Sequence, residues 1–414
     1  MAPGRVRARA GPEEPAAHAM PGPLDGYRIV DLTAMITGPL ATMVLADQGA
    51  EVVKVEPPGG GDVMRYLSTM RGGMSTMFAA CNRSKRSIVV NLRHESGREI
   101  VRDLAARADV FIQNFRPGVI DRLGLSEPLL RARHPGLVYV SLSAFGSEGP
   151  YAHRPAYDHI LQAMTGAPYV QGAAADGRPE YMRMAWCDKV TALVAAQAIT
   201  AALLARERGR GGQHLRLSML DASLAFLWPD AYVNHALLET DGVTELPPLA
   251  QTYRALELRD GFIALAVVTD AQWEGVLRAT GRAELRGDPR FATVGERLAH
   301  LAELVTELEA GARGLACEEL LARLTAEDVP CAPILRLEDV PHFAQIVASQ
   351  TLVETRHPAL GRLREPRPPV RFGATPAAIT RPAPVLGEHT EEVLRELGLE
   401  PARIAALRGQ GVVA

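Results

Sequence analysis

The chain has 414 residues, 47% of them hydrophobic, enough to bury a large core and to divide into two domains. Its formal net charge of −3 offers no bulk attraction to nucleic acid. No charge-free apolar run reaches the eighteen or so residues of a membrane span and no secretory apolar core opens the chain, so a soluble, cytoplasmic protein is expected.

Residues 1–23, rich in Ala, Gly, Pro and Arg without periodicity, read as a disordered extension. Residues 27–32 then read as a strand, 38–47 as a helix with Pro39 in its first turn, and 51–56 as a second strand, which is a βαβ unit of a parallel sheet. The pattern continues with a strand over 87–92, a helix over 95–106, a strand over 110–113, short helices to about 132 and a strand over 137–142. The fold class is therefore α/β, with a large Rossmann-like parallel-sheet domain over residues 24–212. Glu56 ends the second strand where a ribose-binding acid would sit. The first turn, TAMITGP over 33–39, holds no GxGxxG, so NAD is not expected.

From 190 to 205 nearly every residue is Ala, Leu, Val or Ile, and a helix apolar on all sides must be buried. Asp188 stands at its start, where free N–H groups and the helix dipole favour an ionised carboxylate. That position suits a plain N-cap and a nucleophile equally.

Residues 213–244 read as a linker, alternating like a strand over 214–220 and helical after Asp221. A hairpin around Arg259-Asp260-Gly261 and helices over 271–280, 294–310 and 317–325 make a smaller α+β domain over 245–345. Residues 346–414 read as a proline-rich return and a terminal helix over 387–397 that rejoin the large domain. The four cysteines are widely spaced without a CxxC pair, so neither a metal site nor a disulfide framework is expected.

Three stretches keep company with Asp188. NRSKRS (82–87) sets three cations before a strand; NFRPGVIDRLG (114–124) lies at the carboxyl end of a strand and opens a short helix; GPYAHRPAYD (149–158) is a Pro-rich loop entering a helix. Cations beside aromatics at helix N-termini suit a nucleotide carrying several phosphates.

With PLDGYRIVDLT, GPLATMVLADQGAEVVKVEPPGGGD, LLARERGRGGQHLRLSMLDA and the C-terminal LGEHTEEVLREL, these stretches resemble the family III CoA-transferases, the CaiB/BaiF family, in the family's order over most of 24–397. The resemblance implies a homodimer of open rings interlocked with each other, acting on small carboxylic acids and their CoA thioesters. Coenzyme A would enter as substrate, without metal or NAD. It carries CoA contacts onto Lys85, Asn114, Phe115 and Arg122, with Lys85 or Arg122 on a phosphate and the Phe115 region along the adenine. Thr37, Gly38 and Tyr157 would line the acyl pocket, and Asp188 falls on the catalytic aspartate. The chain departs from the better-studied members at Ile36-Thr37, where they carry Gln-Ala, at Pro57, where an arginine often stands, and over 249–253, where some have a glycine run. A sister branch, the 2-methylacyl-CoA racemases, places a His where this chain has Tyr157, a poor α-proton base near neutral pH. A CoA-binding protein without turnover is the reading from another class, and it gives no reason for a carboxylate at 188.

Overall fold

The computed structural model describes residues 22–171, 178–244 and 253–414. The extension expected over 1–23 falls almost wholly outside the described residues, as do residues 249–252, where a glycine run would have been sought. Six strands form one sheet: β1 (Arg28–Asp31), β2 (Glu51–Glu56), β3 (Lys85–Val89), β4 (Val110–Gln113), β5 (Val138–Ser143) and β6 (His214–Ser218). Their spatial order is β3-β2-β1-β4-β5-β6, every pairing parallel. The order reverses between β1 and β4, and in doubly wound sheets the ligand crevice opens there, beyond the carboxyl ends of the strands. The expected linker from 213 onward is thus in part sheet: it supplies the edge strand β6 and the helix α6 (Met219–Ala231).

Successive residues of a strand face opposite sides, and each side carries its own core. Ile29, Val52, Val110, Ile112, Val138 and Val140 point to one face and meet helices α1 (Thr37–Asp47) and α5 (Trp186–Ala205). The sheet-facing residues of α5 are mostly alanines, Ala192, Ala195, Ala196 and Ala202, with Ile199 and Leu203 between them. Small side chains let α5 lie close to α1 and the strands. Val30, Val53, Phe111 and Tyr139 point to the other face, covered by α3 (Glu95–Ala106) and by the C-terminal helices Thr390–Glu396 and Pro401–Gly409. The last residues close the layer, with Val413 bridging to Val90.

The expectation that α5 is buried all round is corrected. Only one side is covered within the chain, and Leu193 and Leu204 stand exposed on the other.

A second unit follows. Strands Leu256–Leu258, Gly261–Leu265 and Cys331–Pro333 form an antiparallel sheet with the central strand from the middle of the sequence, packed on helices Asp270–Thr280, Leu301–Ala312 and Cys317–Ala326. The Asp-Gly turn lies where the sequence signals it. The helix expected over 294–310 is broken at His300, which leaves helical geometry between Val294–Ala299 and Leu301–Ala312. The return, read as extended, contains a hairpin of Leu352–His357 and Gly361–Pro366.

Candidate active site

Asp188 is the third residue of α5, so it is not the helix N-cap. The capping position is Ala185, which has no side chain to offer. Asp158, at the start of a short helix (Asp158–Met164), supplies the cap from outside: its Oδ2 accepts the Asp188 N–H at 3.0 Å. Its other oxygen accepts from Gln162 Nε2 at 2.6 Å, and that amide also donates to the carbonyl of Met184 at 2.9 Å. The job assigned to Asp188 by the cap reading is done by a neighbour, and the Asp188 carboxylate is left free to face α1.

There it meets Thr37, the first residue of α1, whose hydroxyl donates to Asp188 Oδ1. Thr37 Oγ1 also lies 3.8 Å from Met219 Sδ, at the start of α6. The N-termini of α1, α5 and α6 therefore converge around one carboxylate, and each presents a positive dipole end. Burial nevertheless dominates the titration. It pushes Asp188 up, with the Asp158 charge adding to it and the Thr37 hydroxyl and main chain opposing, to about 6 rather than the ordinary 3.8. Burial thus offsets part of what the helix start favours, and the group remains mainly ionised at pH 7, as expected.

Replacing Asp158 by Asn keeps the acceptor for the Asp188 N–H but removes a like charge. Asp188 is then expected to titrate lower, and the acid limb of kcat/KM to move to lower pH. A limb that stays in place would assign Asp158 to capping alone.

Gly38 follows Thr37 and is required by contact: a Cβ there would lie 2.3 Å from Thr33 Cβ. Beneath this turn sits a buried ionic cluster. Asp31 pairs with Lys85 at 3.1 Å, and Lys54 pairs with Asp62 at 3.0 Å, with Asp31, Lys54 and Lys85 all at 0% exposure. Burial pushes Asp31 up, but Lys85, Lys54 and the Thr33 and Thr42 hydroxyls outweigh it and hold the carboxyl at about 2.

This corrects the place of Lys85. Its ammonium donates to Asp31, to the Pro39 carbonyl at 2.8 Å and to Asn82 Oδ1 at 2.9 Å, so all three donors are spent inside the protein and none faces a phosphate. Asn114 is likewise engaged: it accepts the Ala34 N–H at 3.0 Å and donates to the Ala34 carbonyl at 2.8 Å, bracketing the turn before Thr37. Glu56, the would-be ribose acid, is buried against Arg65 at 2.6 Å and Ser87 Oγ at 2.7 Å.

Phe115 and Arg122 lie on the far side of the β4 end. Phe115 is half-buried and lines a cavity of about 550 Å³ at the carboxyl ends of β4, β5 and β6, together with Arg116, Ser143, Gly146 and Ser218. Asp188 does not line that cavity, yet its Ser218 wall adjoins Met219 and so Thr37. Arg122 is exposed at the end of the short helix Val119–Arg122. Tyr157 is 62% exposed, and His153 and His159 beside it are exposed too. The structure thus joins Thr37 to Asp188 directly with Gly38 beside Thr37, sets Asn114 and Lys85 under the turn as supports, places Phe115 on the cavity wall, and leaves Arg122 and Tyr157 exposed. Asp158, Asp31, Lys54 and Asp62 escaped the sequence reading. The nearest signal was that two of only three lysines among 45 Lys and Arg residues fall in this one cluster.

The chain is similar to known proteins over most of its length. The sequence model of CoA-transferase family III matches residues 24–390. The chain is 34% identical to the succinyl-CoA:glutarate CoA-transferase of Mus musculus, an alignment covering 94% of this chain and 90% of that one. It is 33% identical to the acetyl-CoA:oxalate CoA-transferase of Acetobacter aceti, over 92% of this chain and 97% of that one. A crystal structure of a CaiB/BaiF family protein from Brucella suis superposes with a TM-score of 0.78 at 33% identity, covering 91% of this chain and 100% of that one.

Proposed function

This chain belongs to CoA-transferase family III, and from that premise we propose that it moves CoA between small carboxylic acids, dicarboxylates foremost, through covalent intermediates on Asp188. The observation that carries the reading is the half-buried Asp188 carboxylate, held by the Thr37 hydroxyl where three helix N-termini meet. The dicarboxylate preference rests on the glutarate and oxalate activities of the relatives just named.

An Asp188 oxygen attacks the thioester carbonyl, the C–S bond breaks, and a mixed anhydride and CoA thiolate result. The thiolate attacks the aspartyl carbonyl, releasing the donor acid and leaving an aspartyl-CoA thioester. The acceptor carboxylate displaces the thiolate to form a second anhydride, and the thiolate then takes the acceptor acyl group and restores Asp188. No net proton is gained or lost, so no general base is required, which suits a site whose nearest imidazoles are exposed. The anhydride conserves the energy of the thioester. The positive dipole ends of the three helices favour charge developing on the attacked carbonyl oxygen. Burial keeps water from the anhydride. A carboxylate raised to about 6 is also a better nucleophile than one at 3.8 while remaining anionic near neutrality.

CoA itself is placed along the β4 end, with Phe115 beside the adenine and Arg122 on a phosphate. Arg122→Ala is expected to weaken CoA binding by about 1–3 kcal/mol, as for a charge-assisted contact. Unchanged affinity in calorimetry would move the nucleotide elsewhere. We also propose that the protein is a homodimer of interlocked rings. The support is apolar surface left open by one chain, Leu193 and Leu204 on α5 with Phe226, Trp228 and Leu337. A monomer in light scattering at micromolar protein would contradict this.

The reaction is tested by a panel of acyl-CoA donors with free acids, followed by mass spectrometry for new CoA esters. Exchange into glutarate, succinate or oxalate is the expected result. Hydrolysis alone, or no exchange with any acid, would overturn it.

A further inference from the structure

We infer that the buried cluster of Asp31, Lys54, Asp62 and Lys85 is a positioning device for the nucleophile, fixing the 33–37 turn so that Thr37 is held on Asp188. The inference rests on Asp188 being the nucleophile and goes beyond it in assigning the cluster a part in the reaction.

The polar groups of Thr33 and Ala34 and the Met35 N–H end on the cluster or on its neighbour Asn114. Lys54 Nζ donates to the Thr33 carbonyl at 2.7 Å, and Asp31 Oδ1 accepts the Thr33 N–H at 2.8 Å. Asn114 brackets Ala34, and Asp62 Oδ1 accepts the Met35 N–H at 3.2 Å. Lys85 holds the Pro39 carbonyl, in the first turn of α1. Met35 has φ 71°, a left-handed conformation unfavourable for a residue with a side chain. Strain of this kind persists only where the surroundings over-determine it.

The lysines fit their task chemically. A compact ammonium can aim three donors at Asp31, Pro39 and Asn82 in the space below the turn, whereas a planar guanidinium fork could not. A cluster that merely supported the fold would need no particular address. This one ends at the residue whose hydroxyl and main chain bind the Asp188 carboxylate.

The coupling is readable in the acid limb of kcat/KM. The groups facing Asp188 are Asp158 from the short helix Asp158–Met164, Lys189 and Cys187 from its own helix, Cys81 from the helix Thr76–Asn82, and the uncharged Thr37 and Met219 from α1 and α6. All but Thr37 are untouched by the variants. Thr37 is the group that lowers the Asp188 titration through hydrogen bonds. Thr37→Val is therefore expected to move the limb upward from about pH 6. Lys85→Met, which loosens the turn without touching Asp188, is expected to move it in the same direction, lowering kcat at least tenfold while KM for the acyl-CoA changes less than threefold.

The double variant decides whether one route carries both effects, because coupled residues are non-additive. In a Thr37→Val background the shift from Lys85→Met is expected to shrink. Asp31→Asn, which keeps the acceptor for Thr33, is the second variant if Lys85→Met does not fold, and the same limb shift is expected of it. A limb that stays at its wild-type position in a folded Lys85→Met or Asp31→Asn protein, whatever its melting temperature, would overturn the inference, as would two shifts that add in full. Asp188→Asn separates the two levels. Activity in that variant would sink the nucleophile reading, whereas an inactive Asp188→Asn beside an unmoved limb in Lys85→Met would sink only the positioning role.

Discussion

Asp188→Asn is expected to lower CoA transfer by about 10⁴-fold or more, to leave CoA binding in place, and to make the protein more stable at pH 7. The loss of activity follows from the chemistry: an amide cannot form the anhydride, and removal of a covalent nucleophile has effects of about this size. Binding should persist because the residues placed on the nucleotide, Phe115 and Arg122, lie beyond the β4 end. The gain in stability follows from the titration. Asp188 is raised from 3.8 to about 6 in the fold, burial being the largest cause. The folded state therefore prefers the protonated acid; that preference stabilises the protein below about pH 3.8 and is lost as the pH rises through about 6. At pH 7 the ionised group costs about 1–3 kcal/mol of stability, allowing for its partial exposure. Asn has the same shape, still accepts from Thr37, and does not carry that cost. A higher melting temperature with background activity is the expected pair of results. Hydroxylamine trapping on wild type incubated with acyl-CoA is expected to mark Asp188 alone. Substantial transfer by a verified Asp188→Asn protein would remove the central group from the mechanism.

Much of this geometry was legible in the chain, for identifiable reasons. Strands buried on both faces give continuous apolar runs, and those at 51–56 and 110–113 have the expected bounds. Asp260-Gly261 signals its hairpin because the turn chemistry is local. Asp188 stood out because an acid at the head of so apolar a helix is conspicuous. What escaped depends on contacts far apart in sequence. The cap on α5 comes from Asp158, thirty positions away, and no local rule anticipates a cap from another element. Lys85 reads as a cation facing a CoA phosphate because NRSKRS is dense in charge and the resemblance carries a CoA contact there, whereas its acid, Asp31, lies 54 positions earlier on the next strand but one. Arg83 is drawn inward in the same way, onto Asp47 at 2.7 Å. Charge density in a sequence does not say which members of a run face water. The return hairpin was hidden by the prolines that flank it, whereas the alternation over 214–220 showed β6 as a strand without showing that it joins the large sheet.

Gly38→Ala is the second substitution with a large expected effect, and its sign runs against helix propensity. In an exposed helix interior, Gly→Ala stabilises by up to about 1 kcal/mol. Gly38 does not have a left-handed backbone, so alanine meets no conformational objection there. The objection is steric: the new Cβ would sit 2.3 Å from both Thr33 Cβ and Cγ2 and 2.4 Å from its Oγ1. Thr33 cannot yield easily, because it is 2% exposed, its N–H and hydroxyl are both held by Asp31, and its carbonyl is held by Lys54. The first turn of α1 must move instead, and that turn carries Thr37. Overpacking of this kind costs about 1–3 kcal/mol. A displacement of about 1 Å at the nucleophile's hydrogen-bond partner costs on the order of 10²-fold in rate. A lower melting temperature together with a fall in kcat is therefore expected, with the acid limb shifted upward as Asp188 loses the Thr37 hydroxyl. Wild-type stability and rate in Gly38→Ala would mean that the α1 start is looser than the Thr33 contact implies, and that Thr37 is not held where Asp188 needs it.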